Sequence, residues 1–207
     1  IETIEQEHIA SRKLATNQAI LRAILREKPT EVLDMGCGEG WLCRRLQASG
    51  IATLGIDVAE ELITHAKNTS KGTFLCYGYE ALIEGSFEPE QHFDVIAFNY
   101  SLFGEASTPA ILKKAGEWLK PQGKVIIQTL DPAHPAFAGF KSSQWIQEDW
   151  GDMKASFVLP MDWYYRIHKD WLEMFANLGY EVAQQENIRH PLLGSPISVI
   201  FTLRKSD

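Results

Sequence analysis

Apolar residues along this chain fall first into a helical period and then into short blocks. Ile9, Ala19, Ile20, Ala23, Ile24 and Leu25 supply one face of a predicted helix over residues 5–27, with Pro29 just beyond its end. From residue 31 onward, apolar runs alternate with amphipathic stretches. "EVLDM" (31–35), "ATLGID" (52–57), "GTFLCY" (72–77), "FDVIAFN" (93–99) and "KVIIQTL" (124–130) read as strands. "WLCRRLQASG" (41–50), "AEELITHAKN" (59–68) and "TPAILKKAGEWLK" (108–120) read as helices between them. Residues 131–166 show no clear period. A helix over 168–178 then leads to two late strands, "YEVAQQEN" and "SVIFTLR", whose connection "IRHPLLGSP" is too short for a helical crossover and predicts an antiparallel pair at the sheet edge.

Strands separated by helices mark parallel βαβ units with helices on both faces. The expected fold class is α/β: a Rossmann-like, doubly wound, mostly parallel seven-stranded sheet with an antiparallel edge strand. With 207 residues, one domain over 1–207 is expected.

Composition narrows the partners. A net charge of −7 argues against a nucleic-acid backbone, whose contacts are made chiefly by Lys and Arg. The cationic pairs Arg44-Arg45 and Lys113-Lys114 fall within predicted helices and read as solvated faces. Three cysteines, Cys37, Cys43 and Cys76, form no secreted framework and no zinc-type spacing, so reduced thiols, a cytoplasmic location and no metal are expected. No apolar run approaches the roughly 18–20 residues of a membrane span, so no membrane partner is expected.

The strongest local signal is "VLDMGCGEGW" (32–41), three alternating glycines directly behind a strand. Such a turn bares backbone N–H groups at the carboxyl end of a parallel strand, where open α/β sheets bind ligands. A P-loop reading fails because no Lys-Ser or Lys-Thr follows. A dinucleotide fingerprint is weakened because its third glycine falls at Trp41. A tight strand–helix connection without a ligand is the plain alternative.

The residues Asp34-Met35-Gly36-Cys37-Gly38-Glu39-Gly40 resemble the DxGxGxG motif of class I S-adenosylmethionine-dependent methyltransferases of the small-molecule type. Asp57 ends the next strand 19 residues after Gly38, where that family carries an acid for the ribose hydroxyls; before "VAEEL" it would equally serve as a helix cap. "FDVIAFNYSLF" resembles the family's fourth strand, and "AGEWLKPQGKVII" its turn into the fifth, with Gln122 replacing a glycine. The resemblance covers roughly residues 30–130 plus the final strands. It implies a cofactor-binding core over 30–130 behind the N-terminal helix (1–29), an insertion or lid (131–166), and a closing helix and strand pair (167–207).

It further implies S-adenosylmethionine as cofactor, with S-adenosylhomocysteine as product, held by Asp34, Gly36, Cys37, Gly38, Asp57, Val58, Tyr79 and Asn99. Where the family carries an acid for the adenine amino group this chain has Gly78, leaving backbone groups with Tyr79 or Glu80 to help. Arg12 and Asn17 are candidates for the methionine carboxylate. Asp131 and His134 are the catalytic candidates, a turn former and a loop histidine being their structural alternatives. Tyr100, Trp163, Tyr164, Tyr165 and His168 are candidates for contacting a small-molecule acceptor, with Arg166 alongside; a satellite aromatic core is the alternative. Methyl transfer to that acceptor, mainly by holding it in line with the S–CH3 bond, is the expected function. A catalytically silent cofactor-binding module, acting as sensor or partner subunit, is the second reading.

Overall fold

The computed structural model describes residues 15–148 and 161–206. The expected helix over 5–27 appears as α1 (Asn17–Arg26), its earlier part lying outside the described residues. β1 (Glu31–Met35), α2 (Trp41–Gln47), β2 (Ala52–Asp57), α3 (Glu60–Thr69), β3 (Thr73–Cys76), a short α4 (Tyr79–Ile83), β4 (Phe93–Asn99), α5 (Ser107–Glu117) and β5 (Leu119–Leu130) follow. The sheet has the order β3-β2-β1-β4-β5-β9-β8. The first five strands are parallel; β9 (Pro196–Lys205) runs antiparallel to β5 and to the edge strand β8 (Tyr180–Arg189).

Sequence and strand position agree. β4 and β9 are nearly continuous apolar runs because both faces and both edges are covered. β8 is polar and mostly exposed, which keeps an open edge from pairing with another chain.

Helices cover both faces. On one, Ile20, Ala23 and Ile24 of α1 pack with Leu42 and Leu46 of α2 onto Val32, Val95, Ala97, Ile126 and Ile200. On the other, α5 and α6 (His168–Asn177) cover Ile96, Phe98, Val125, Ile127 and Phe201. Phe201 lies 5.2 Å from the ring of Phe175 and 6.2 Å from that of Trp171. Each such buried aromatic contributes on the order of 1.5–3 kcal/mol.

Three readings need correction. β5 starts at Leu119 rather than at residue 124, because the Lys-Pro-Gln-Gly stretch remains extended along the start of β4. The helix over 41–50 ends at Gln47, and α4 was not anticipated, its five residues being too few to show a period. The aperiodic segment 131–166 contains two strands, β6 (Gln144–Glu148) and β7 (Met161–Tyr165), paired antiparallel in a separate small sheet. Three consecutive aromatics in β7 hid its alternation, in which Trp163 and Tyr165 are buried and Tyr164 less so. Residues 149–160 of that segment lie outside the described residues. The strand order reverses between β1 and β4, which opens a crevice above their carboxyl ends.

Candidate active site

The turn after β1 is pinned first by its own backbone. The N–H groups of Gly36 and Cys37 both donate to the carbonyl of Ile56, at 2.7 and 3.0 Å. Gly36 has φ +78°, and a Cβ on it would stand 2.3 Å from Ser101 Cβ, because the loop after β4 closes against it. Gly38 has φ +55°, and a Cβ there would meet nothing within 4 Å. The first glycine admits a protein neighbour; the second leaves a bare face toward the crevice.

Asp57 binds that second glycine. Its Oδ2 accepts the Gly38 N–H at 2.8 Å and its Oδ1 accepts the Ala59 N–H at 2.9 Å. Asp57 is not the cap of the following helix, whose first turn is entered through Ala59; it pins the turn after β2 and the glycine turn together. Each oxygen retains a further acceptor direction. Val58 beside it is 71% exposed, a large fraction for a valine on the wall of a crevice. A Cβ on Gly78 would lie 3.3 Å from Glu80 Oε2 and 3.4 Å from Val58 Cγ2, so Gly78, Val58 and Glu80 share one corner. Tyr79 instead points under the loop: its hydroxyl donates to the Met35 carbonyl at 3.2 Å and its ring meets Phe98 edge-on. Desolvation there pushes its phenol well above the usual range.

Asp34 lies beneath the turn, 1% exposed. Its Oδ2 accepts the Cys43 thiol at 3.6 Å, and its Oδ1 has no partner among the described residues. Burial raises its carboxyl from 3.8 to about 7, against the thiol hydrogen bond and with the negative charges of Asp57 and Glu39 adding to the rise. Burial likewise pushes the Cys37 thiol up, away from the reactive thiolate. Glu39 is buried and neutralised by Arg44, which also donates to the Glu39 carbonyl at 2.7 Å. Arg44 is thus bound to the back of the glycine turn rather than belonging to a purely solvated face.

The loop after β4 begins at Asn99, 8% exposed at the end of that strand. Tyr100 follows in a left-handed conformation, φ +53°, held by its N–H on the Gln128 carbonyl at 2.9 Å. A non-glycine residue there carries about 1–2 kcal/mol of strain, a common feature of functional loops.

Asp131 and His134 share one turn, the His134 N–H donating to the Asp131 carbonyl at 2.8 Å, but their side chains are engaged separately. Asp131 is 2% exposed and accepts from Ala133 N and from Asn187 Nδ2, each at 2.8 Å. His134 Nδ1 accepts the Ala136 N–H at 3.2 Å and caps the 3-10 turn Pro135–Phe137. Trp163 and Tyr165 are buried against Phe137. Tyr164 lies under the Arg166 guanidinium, 4.8 Å from ring centroid to Cζ. His168 opens α6 and meets Gln185 on the edge strand at 2.9 Å, which places it with the sheet edge.

Arg166 is 6% exposed, clamps the Gly104 and Glu105 carbonyls at 2.8 and 2.7 Å, and has its pKa lowered by burial. It ties β7 to the loop after β4. Sequence reasoning missed Ser101, whose hydroxyl donates to the Met35 carbonyl at 2.6 Å, and Gln128, 1% exposed. The signal for Gln128 was present: it is the one amide inside "KVIIQTL".

The family model of a methyltransferase domain matches residues 6–185. The chain belongs to the methyltransferase domain family. A ubiquinone biosynthesis O-methyltransferase of Bradyrhizobium diazoefficiens is 29% identical over 107 residues, covering 52% of this chain and 42% of that protein. An uncharacterized methyltransferase of Schizosaccharomyces pombe is 25% identical over 182 residues, covering 84% of this chain and 68% of that one. Among solved structures, a Listeria monocytogenes protein assigned to the S-adenosylmethionine-dependent methyltransferases superposes with TM-score 0.70 at 19% identity, covering 93% of this chain and all of that one. The chain spans about half the length of the ubiquinone-biosynthesis relatives it matches. Within this methyltransferase domain, the glycine turn and Asp57 occupy the crevice at the strand reversal. No helix among the described residues is long and apolar enough to cross a membrane.

Proposed function

We propose that this chain binds S-adenosylmethionine across the carboxyl ends of β1 and β2 and transfers its methyl group to a small-molecule acceptor above β4 and β5, the whole chain acting as one methyltransferase unit. The observation that carries the reading is the Asp57 carboxylate, fixed by two backbone N–H groups beside the bare face of Gly38.

The residues fit the cofactor. A cradle that only glycine leaves open, a carboxylate with acceptor directions to spare for two ribose hydroxyls, and an exposed valine for one face of a flat base stand side by side. Asp57 would hold the ribose, Val58 and Gly78 the adenine, and the Gly36–Gly38 backbone the sulfur-bearing chain. Once bound, the sulfonium supplies a methyl group that is already electrophilic.

The protein's share is then positioning. Tyr100 and the loop it starts orient the acceptor above β4. The aromatic set around Trp163 and Tyr165 excludes water. Proximity is the leading contribution to rate. Asp131, with both oxygens accepting hydrogen bonds, suits orienting a donor group of the acceptor better than abstracting its proton. A small organic acceptor is supported by the ubiquinone-biosynthesis relatives and by the acidic surface, which disfavours nucleic acid.

Calorimetric titration with S-adenosylmethionine and S-adenosylhomocysteine, with NADH as control, tests the reading. Binding of the first two at about micromolar Kd, roughly −8 kcal/mol, and not of NADH is expected. A folded sample that binds neither would overturn it.

A further inference from the structure

The peptide unit between Met35 and Gly36 touches both halves of the proposed site. Its N–H faces the cofactor half: Gly36 N donates to the Ile56 carbonyl at 2.7 Å, beside the Cys37 N–H on the same oxygen. Its C=O faces the other half. The Met35 carbonyl accepts the Ser101 hydroxyl at 2.6 Å and the Tyr79 hydroxyl at 3.2 Å, which uses both of its lone pairs. A peptide unit is planar and stiff, so its N–H and C=O turn together. The joint is also tight, because a Cβ on Gly36 would stand 2.3 Å from Ser101 Cβ.

Ser101 begins a short strap over residues 101–105. Leu102 anchors it in the main core, 5% exposed. The next three carbonyls are all held from β7 and the residue that follows it. Phe103 O accepts the Tyr164 N–H at 2.8 Å, and Gly104 O and Glu105 O accept Arg166 Nη2 at 2.8 and 2.7 Å. Five residues reach at most about 18 Å even when fully extended. β7 in turn packs Trp163 and Tyr165 against Phe137, and the Tyr165 hydroxyl donates to the Pro132 carbonyl at 3.1 Å. A contiguous chain of contacts therefore leads from the glycine turn to the aromatic set proposed to exclude water from the acceptor.

We infer that Ser101 is a positioning residue: through the Met35–Gly36 peptide it makes the order of the strap and of β7 depend on whether the glycine turn is occupied. The inference rests on cofactor binding at that turn, as proposed above. A bound cofactor restrains the turn. The Ser101 hydroxyl passes that restraint to the strap, and the bonds from Tyr164 and Arg166 pass it to β7. The acceptor side is set in its working geometry only once the methyl donor is in place. Tyr79 grips the same carbonyl but belongs to α4, outside the strap, so it steadies the turn without relaying its state.

Amide hydrogen exchange reads the relay. Wild type, Ser101→Ala and Tyr79→Phe are compared with and without S-adenosylhomocysteine, whose binding is measured separately by calorimetry. In wild type, S-adenosylhomocysteine slows exchange at residues 36–40 and, by at least about fivefold, at the Tyr164 N–H and its neighbours in β7. Ser101→Ala keeps the first protection and loses the second. Tyr79→Phe removes one hydrogen bond from the same carbonyl yet keeps both, a difference that equivalent structural roles for the two hydroxyls would not produce. Arg166→Met opens the strap at its far end and also loses the second protection, so the test stands even where Ser101→Ala does not fold. β7 protection that survives in Ser101→Ala, or that is absent from wild type with S-adenosylhomocysteine bound, overturns the relay and leaves the proposed function standing. Folded wild type that binds no S-adenosylhomocysteine overturns both.

Discussion

Ser101 stands where a side chain on Gly36 would have to go: a Cβ on Gly36 would lie 2.3 Å from Ser101 Cβ, while the Ser101 hydroxyl holds the Met35 carbonyl at 2.6 Å. The loop after β4 is thereby locked onto the turn after β1, at the point where strand order reverses. Gly36 and Gly38 share a left-handed backbone but face opposite demands. Gly36→Ala combines a backbone penalty with overpacking and is expected to cost about 3 kcal/mol or more of folding stability. Gly38→Ala has open space, costs about 1–2 kcal/mol in stability, and places a methyl on the face proposed for the cofactor, so it is expected to weaken S-adenosylhomocysteine binding. Urea unfolding and calorimetry on both variants check this; similar stability losses would refute the division of roles.

Asp57→Ala removes the acceptor for Gly38 N–H and Ala59 N–H together. S-adenosylhomocysteine binding is expected to weaken by ~1.5–3 kcal/mol through lost charge-assisted bonds. Stability is expected to fall by about 1–3 kcal/mol, the usual cost of leaving part-buried backbone N–H groups without their acceptor. Unchanged affinity in the folded variant would move the ribose contact elsewhere.

Asp34 makes stability depend on pH in the direction opposite to an ordinary salt-bridged carboxylate. Its folded pKa, about 7, lies above the unfolded 3.8, so the folded state holds the proton more tightly. Well below pH 3.8 both states are protonated and the group costs nothing. As pH rises from 4 to 7 the unfolded state ionises first, and stability falls by about 4 kcal/mol before levelling off. Asp34→Asn keeps the shape without the charge. It is expected to be more stable than wild type at pH 8, with the gap closing toward pH 4. A gap that stays constant across that range, measured by chemical denaturation without cofactor, would count against the assignment.

Arg166→Met preserves the apolar stem against Tyr164 and Trp171 but strips two hydrogen bonds from the Gly104 and Glu105 carbonyls. Two opposing terms compete, unsatisfied carbonyls against relief from burying a cation. A net loss of about 1–3 kcal/mol is expected, with the loop after β4 loosened and exchanging its amide hydrogens faster. A variant as stable as wild type would mean that the buried charge offsets its own bonds.

The blocks of apolar residues specified the parallel core with little ambiguity, because β1 and β4 are almost wholly buried and carry almost no polar interruption. The glycine row and the spacing to Asp57 marked the candidate site for a similar reason. A turn at the end of one strand and an acid at the end of its neighbour are fixed by local geometry, and parallel pairing of β1 with β2 brings them together. The closing helix and the β8–β9 hairpin were legible from period and connection length alone.

Other relationships needed the fold. Tyr79 reads as a helper at the adenine, yet α4 turns it under the glycine loop. Asp131 looks like a catalytic acid until Asn187, on the edge strand two positions across the sheet, takes one of its oxygens. Arg44 reads as a solvated cation until the turn buries Glu39 beside it. Gln128 of β5 joins the Thr16 carbonyl, just before α1, to Ser198 of β9. Sequence alone determines what is periodic or contiguous, because burial and backbone conformation act on neighbouring residues. Which side chains share a hydrogen bond across more than fifty residues is decided only when the sheet assembles and sets its strand order.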